Sequence, residues 1–192
     1  MNNSQASIID PVASVSMQQR HKPLGELYLR EPAQALVTDG ASTDSSTGTD
    51  LADPLHSRVT TAGHSIPVGV HPAVGGDGDA PVPGEILAAA LASCLDSTLR
   101  VIANRLDIKL RHLAVNAVGE VDVRGTLMVS ADAAVGFAGF KLSVELEAEP
   151  DTNPAMLNAL ANAAEASCVV MQTLRNGCEV STDFAIAAYS TC

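Results

Sequence analysis

The chain has 192 residues, 46% of them hydrophobic and 17% charged, and its 11 basic and 22 acidic residues give a formal net charge of −11. Lys and Arg cluster nowhere, so the positive stripe that a phosphate backbone or an anionic membrane surface needs is missing. With no Trp, two Tyr and three Phe, the chain also lacks stacking platforms for unpaired bases. Nucleic acid and membrane are therefore not expected partners. The length suits one domain with a sizeable core. Four cysteines are too few for a secreted disulfide scaffold, so any disulfide is expected to be transient and chemical. The N-terminus has neither a basic n-region nor an apolar h-region, and no stretch offers about 20 uninterrupted apolar residues. A cytoplasmic location is the expectation.

Residues 1–22 are polar and without period. Residues 23–31, PLGELYLRE, predict a short helix with Leu24, Leu27 and Tyr28 on one side and Pro32 at its end, and residues 33–38 predict a short strand. Residues 39–54 are rich in Ser, Thr, Asp and Gly and have almost nothing to bury, which predicts a loop. Residues 1–55 thus read as an N-terminal extension and 56–192 as the domain. Within the domain, 56–70 predicts a β-hairpin turning at Gly63, with Pro67 making its second arm an edge or bulged strand. The Gly-, Pro- and Asp-rich VGGDGDAPVP segment is a loop that delivers the chain to a long helix.

That helix, at 83–107, organises the chain. Leu87, Leu91, Cys94, Thr98, Val101 and Ile102 recur every three or four residues and predict one apolar face. Pro83 suits the first turn and Glu85 puts negative charge at the positive end of the macrodipole. The alanines among residues 88–92 let a neighbouring backbone approach closely.

Beyond it, 109–124, 127–130 and 137–149 alternate as strands, the last with Phe140, Leu142, Val144 and Leu146 on one face. A second helix is capped by Asn153, opened by Pro154 and stopped by Gly177. Its face is Leu157, Leu160, Ala164, Cys168, Met171 and Leu174 or Arg175, and a final strand follows at 178–189. Strands not interleaved one-for-one with helices indicate an α+β fold with a mainly antiparallel sheet.

Each long helix therefore carries one cysteine in mid-face, Cys94 and Cys168, 74 residues apart. From the residues alone, a cysteine on an apolar helix face is more often a small buried hydrophobe than a nucleophile. A redox role requires a thiolate stabilised by a cation and a second thiol within reach. The five histidines, at 21, 56, 64, 71 and 112, show no helical pairing and no cysteine at zinc-ligand spacing, so no metal or other cofactor is expected. GGDGD has no lysine and is no phosphate cradle. Cys178 and Cys192, in or after the last strand, carry no motif.

The pattern Gly-Gly, a short acidic loop, P-x-E-I-L-x-A-A-L-x-x-C, and some 70 residues later A-E-x-x-C and a strand resembles the osmotically inducible protein C and organic hydroperoxide resistance (OsmC/Ohr) superfamily, from about residue 59 to 184. The resemblance implies a thiol-dependent peroxidase of stress defence, in an intertwined homodimer with each active site at the interface. It implies that Cys94 attacks the peroxide, that Cys168 resolves the oxidised form as a disulfide, and that a dithiol reductant reopens it. It also implies an arginine beside the thiolate, for which Arg58 is the first candidate and Arg30 the second, and a glutamate that holds it, for which Glu85 is the candidate. The chain departs from the family pattern at Gly84, where the hydroperoxide branch has the glutamate, and at Val169, where the second cysteine is commonly followed by proline. The alternative is a non-catalytic dimer of the same fold that binds a small apolar ligand or a partner, with inert thiols.

Overall fold

The computed structural model describes residues 15–186. Helix α1 (Met17–Arg30) starts where Ser16 accepts from the Gln19 N–H, six residues earlier than the sequence suggests, and it tolerates Pro23 inside. The strand expected at 33–38 is absent. Pro32–Ala35 forms a 3-10 turn and Leu36 and Val37 stand in solvent, with no neighbouring strand to pair with. Residues 39–54 are a loop with one 3-10 turn and a single bridge, Ser42 to Thr60.

Strands β1 (His56–Thr61) and β2 (His64–Gly69) form the expected antiparallel hairpin, with Arg58 opposite Pro67. Ala62 and Gly63 both have positive φ, 47° and 78°, the combination that matches a two-residue turn to the strand twist. The chain returns through a tight loop in which Gly76 is required, because a Cβ there would stand 1.8 Å from the Val70 carbonyl oxygen. The Gly69 N–H donates to Pro81 O at 2.9 Å and ties the hairpin to the start of the next helix.

Helix α2 (Pro83–Arg105) buries Leu91, Leu95, Leu99 and Ala103. This row is turned from the predicted face, in which Thr98 and Val101 stood where Leu95 and Leu99 now lie. The helix is apolar on most of its circumference, so local periodicity leaves its rotation open and the packing partners choose it. By length and composition α2 could also cross a membrane; here its buried row packs in the core.

One side of α2 faces strands β3 (Leu110–Val121) and β4 (Phe137–Ala148), a second antiparallel pair. Leu113, Val115, Ala117, Leu142 and Leu146 point from this pair to the core. Another side meets α4 (Pro154–Ser167) and α5 (Val169–Asn176). Between the strands, the predicted strand at 127–130 is replaced by the single turn α3 (Val123–Thr126) and further turns. The Asp122 side chain accepts from the Arg124 N–H, and Met128 has φ 55°, which no strand tolerates.

Among the described residues the architecture is therefore two separate two-stranded antiparallel sheets and five α-helices, with α2 at the centre, which is the α+β class expected. Residues 177–186 form no strand, and Val180, Phe184 and Ile186 are exposed. The rest of the predicted last strand and Cys192 lie outside the described residues.

Candidate functional site

The site begins at the N-terminus of α2. Val82 has no side-chain oxygen with which to cap, so the Glu85 carboxylate reaches back and accepts the Val82 N–H at 3.0 Å, half of a capping box. Cys94 lies two and a half turns further on, about 13 Å along the axis. It is half-buried at the edge of the Leu91–Leu95 row, and the Thr98 hydroxyl donates to its carbonyl oxygen at 2.7 Å.

The second cysteine sits where the predicted continuous helix breaks. Cys168 has φ −73° and ψ 104°, so it ends α4 and begins α5. Its side chain is wholly buried, in one cluster with Leu91, Leu95, Leu160 and Met171, and Cys94 packs against that cluster. Burial pushes the Cys168 thiol up; the Met171 backbone N–H opposes this, the neighbouring Cys94 thiol adds to it, and the Val170 N–H opposes it further. The fold thus brings the two thiols together as unbonded neighbours.

The other predicted site residues stand apart from this pair. Arg58 is exposed on β1 and its Nε donates to Ser65 Oγ at 3.0 Å across the hairpin. Arg30 is exposed in the last turn of α1. Glu85 holds the Val82 amide and no arginine. Among the described residues no Lys or Arg makes an ion pair or hydrogen bond with either cysteine within one chain.

Three features escaped the sequence. Phe137 lies over Gly84, whose Cβ would come within 2.8 Å of the ring. A largely apolar cleft of about 770 Å³ opens between the hairpin, the start of α2 and the β3–β4 pair, lined by Val68, Val82, Ala117 and Phe137 among others. At its rim, His56 Nδ1 meets Asp53 Oδ2 at 2.8 Å and Nε2 meets Asp79 Oδ1 at 3.0 Å. These are contacts between residues distant in the chain or in irregular loops, and no periodicity announces them. Among the described residues no group of three or more His, Cys, Asp or Glu is placed to hold a metal.

Comparison with curated protein sequences returns no match. Solved structures share the fold. An OsmC-like protein from Mycoplasma pneumoniae aligns at TM-score 0.59 and 14% identity, covering 73% of this chain and 89% of that one. An OsmC-like protein of unknown function from Vibrio cholerae aligns at TM-score 0.56 and 17% identity, covering 72% and 94%. An organic hydroperoxide resistance protein from Elizabethkingia anophelis aligns at TM-score 0.50 and 22% identity, covering 74% and 91%. The family described as OsmC-like protein matches residues 76–183, a segment that holds α2, both long strands and both cysteines. The chain belongs to the OsmC-like protein family.

Proposed function

We propose that this chain is a thiol-dependent peroxidase of stress defence that reduces organic hydroperoxides in the cytoplasm as a homodimer. The observation that carries this reading is the meeting of Cys94 and Cys168, from helices 74 residues apart, at the edge of an apolar core.

In the first step the Cys94 thiolate attacks the terminal peroxide oxygen. The O–O bond breaks, Cys94 becomes a sulfenic acid, and the alkoxide takes a proton and leaves as an alcohol. In the second step the Cys168 thiol attacks the Cys94 sulfur, the S–O bond breaks, the thiol proton joins the departing hydroxide, water leaves and a disulfide forms. A dithiol reductant then returns both thiols by exchange. Burial opposes ionisation of Cys168, so its proton passes to the departing hydroxide as the sulfurs bond. Apolar neighbours around the pair favour a peroxide with a hydrocarbon group over hydrogen peroxide.

Thiolate formation at Cys94 calls for a cation, and among the described residues of one chain no Lys or Arg is bonded to that cysteine. In this proposal the homodimer supplies the cation, with the active site at the interface and Arg58 as the arginine, since among the described residues β1 and β2 form a sheet of only two strands, which a second copy can extend. Glu85 is the carboxylate proposed to hold that arginine. Cleft and sites carry a second reading, a non-catalytic dimer that binds a small apolar ligand. The apolar cleft and the lack, among the described residues, of a Lys or Arg bonded to either thiol favour it.

Intact mass of the reduced protein after one equivalent of cumene hydroperoxide, followed by peptide mapping, decides between them. Loss of two hydrogen atoms per chain with a Cys94–Cys168 crosslink is the expected result. A mass unchanged over minutes sinks the peroxidase reading for that substrate class.

A further inference from the structure

The helix break at Cys168 has no covalent cause. Val169 carries an N–H and no ring, and the apolar period runs unbroken from Leu157 to Leu174, so the sequence favours one continuous helix. In the structure the Cys168 N–H still donates to Ala164 O at 2.9 Å and the Gln172 N–H to Cys168 O at 2.9 Å. Between these two bonds the ladder is interrupted. The carbonyls of Glu165, Ala166 and Ser167 and the N–H groups of Val169, Val170 and Met171 have no backbone partner of the helical kind.

Two side chains from α5 run back across the gap. Gln172 Nε2 donates to the orphaned Glu165 carbonyl oxygen at 2.8 Å, and Arg175 Nη2 donates to the Glu165 carboxylate at 3.0 Å. On the buried side the Met171 and Val170 N–H groups oppose the rise that burial gives the Cys168 thiol. We propose that Glu165, Gln172 and Arg175 form a strap that holds the break open, and are positioning residues that keep the Cys168 thiol beside Cys94 and its own α5 amides. The strap does by side-chain bonds what a proline at 169 does by removing an N–H and excluding the helical conformation from the residue before it. Without it, residues 165–172 wind into the continuous helix and the sulfur leaves those amides.

Only the disulfide arm of the test rests on the redox reading; the other arms need no peroxide. The double variant Gln172→Leu/Arg175→Met removes the two α5 side chains of the strap, and the triple variant adds Val169→Pro. In the fully reduced protein, amide exchange at 169–171 read by NMR is expected to slow by about tenfold or more in the double variant, as these groups gain helical partners. The Cys168 thiol pKa, read from its 13Cβ shift against pH, is expected to rise, because the opposing amides are lost. Val169→Pro is expected to restore the pKa, a rescue that a merely structural loss does not show. Exchange and pKa both unchanged in the double variant overturn the strap, as does a raised pKa that proline fails to lower. Glu165→Gln, which removes only the charge pairing, is expected to shift both readouts in the same direction by less. If these shifts appear while cumene hydroperoxide gives no crosslink in the parent chain, the strap stands and the peroxidase reading falls. If the crosslink forms equally fast in parent and double variant with exchange unchanged, the strap falls and the peroxidase reading stands.

Discussion

Phe137 closes the position at Gly84: a Cβ on residue 84 would stand 2.8 Å from the tip of the Phe137 ring. Position 84 is ten residues before Cys94, the place where the hydroperoxide branch of the resembling family carries its glutamate. The ring in turn stacks on Phe140, centroids 4.5 Å apart. Gly84→Glu therefore has to displace the ring, and an overpacking loss of about 1–3 kcal/mol is expected in urea unfolding. Adding Phe137→Ala recovers much of that loss if the ring is what obstructs; a Gly84→Glu chain as stable as the parent shows that it is not.

Thiol reactivity follows burial. Cys178 is exposed, Cys94 half-buried and Cys168 buried with its thiol pushed up. Under a limiting alkylating agent at neutral pH, mapped labelling is expected in the order Cys178, Cys94, Cys168. If the proposed peroxidase reading holds, Cys94→Ser is expected to abolish turnover in peroxide assays, while Cys168→Ser is expected to allow one reduction per subunit and then over-oxidation of Cys94. Turnover that survives Cys94→Ser removes this residue as the nucleophile.

Val169→Pro alone is expected to stabilise the chain mildly. Cys168 already has the extended conformation that precedes proline, φ −73° and ψ 104°, and residue 169 is the first position of α5, where proline is favoured. A gain of about 0.4–1 kcal/mol is expected from the restricted unfolded chain. A clear loss in urea unfolding means that the Val169 N–H is bonded after all.

His56 gives the chain a pH signature. Its pKa is raised, first by the hydrogen bond to Asp53 and then by the one to Asp79, while both carboxylates are held below their usual value of 3.8. A raised folded pKa stabilises fully below the unfolded value of 6.5 and fades as pH rises through the folded pKa; the depressed carboxylates stabilise above 3.8 and fade as pH falls. The clasp thus acts in the window from about 4 to about 6.5. His56→Gln is expected to lower Tm relative to the parent at pH 5.5, with the gap closing by pH 8.5. Salt should narrow it, because the three groups are exposed. A gap that is constant with pH points to packing instead.

Leu160 is wholly buried at the contact of α4 with α2. Leu160→Ala is expected to cost about 2–5 kcal/mol in chemical unfolding, a figure that tests whether α2 and α4 share one core.

The sequence by itself determined the elements whose signals are local. Pro83 and Glu85 mark the start of α2, Gly63 the hairpin turn, Asn153 and Pro154 the start of α4, and period-two alternation the strands β3 and β4. The run of Ser, Thr, Asp and Gly at 39–54 marks the loop, since it has too little to bury. Each of these is decided within a few residues by dihedral preference, capping or side-chain period, so the tertiary fold had only to accept them.

Contacts between distant residues decided the rest. An apolar circumference on α2 fits several rotations, and its partners α4 and β3 selected Leu95 and Leu99 over Thr98 and Val101. The apolar period through Cys168 is that of a continuous helix, yet the chain breaks there, with Glu165, Gln172 and Arg175 across the gap. Residues 127–130 alternate like a strand but have no strand edge to pair with, and the Asp122 cap and Met128 turn them instead. A β-strand needs a partner and a buried face needs a neighbour; neither is written in the strand or helix itself. The same holds for the site: the sequence supplied two cysteines on two helices, and only the packing of those helices made them neighbours.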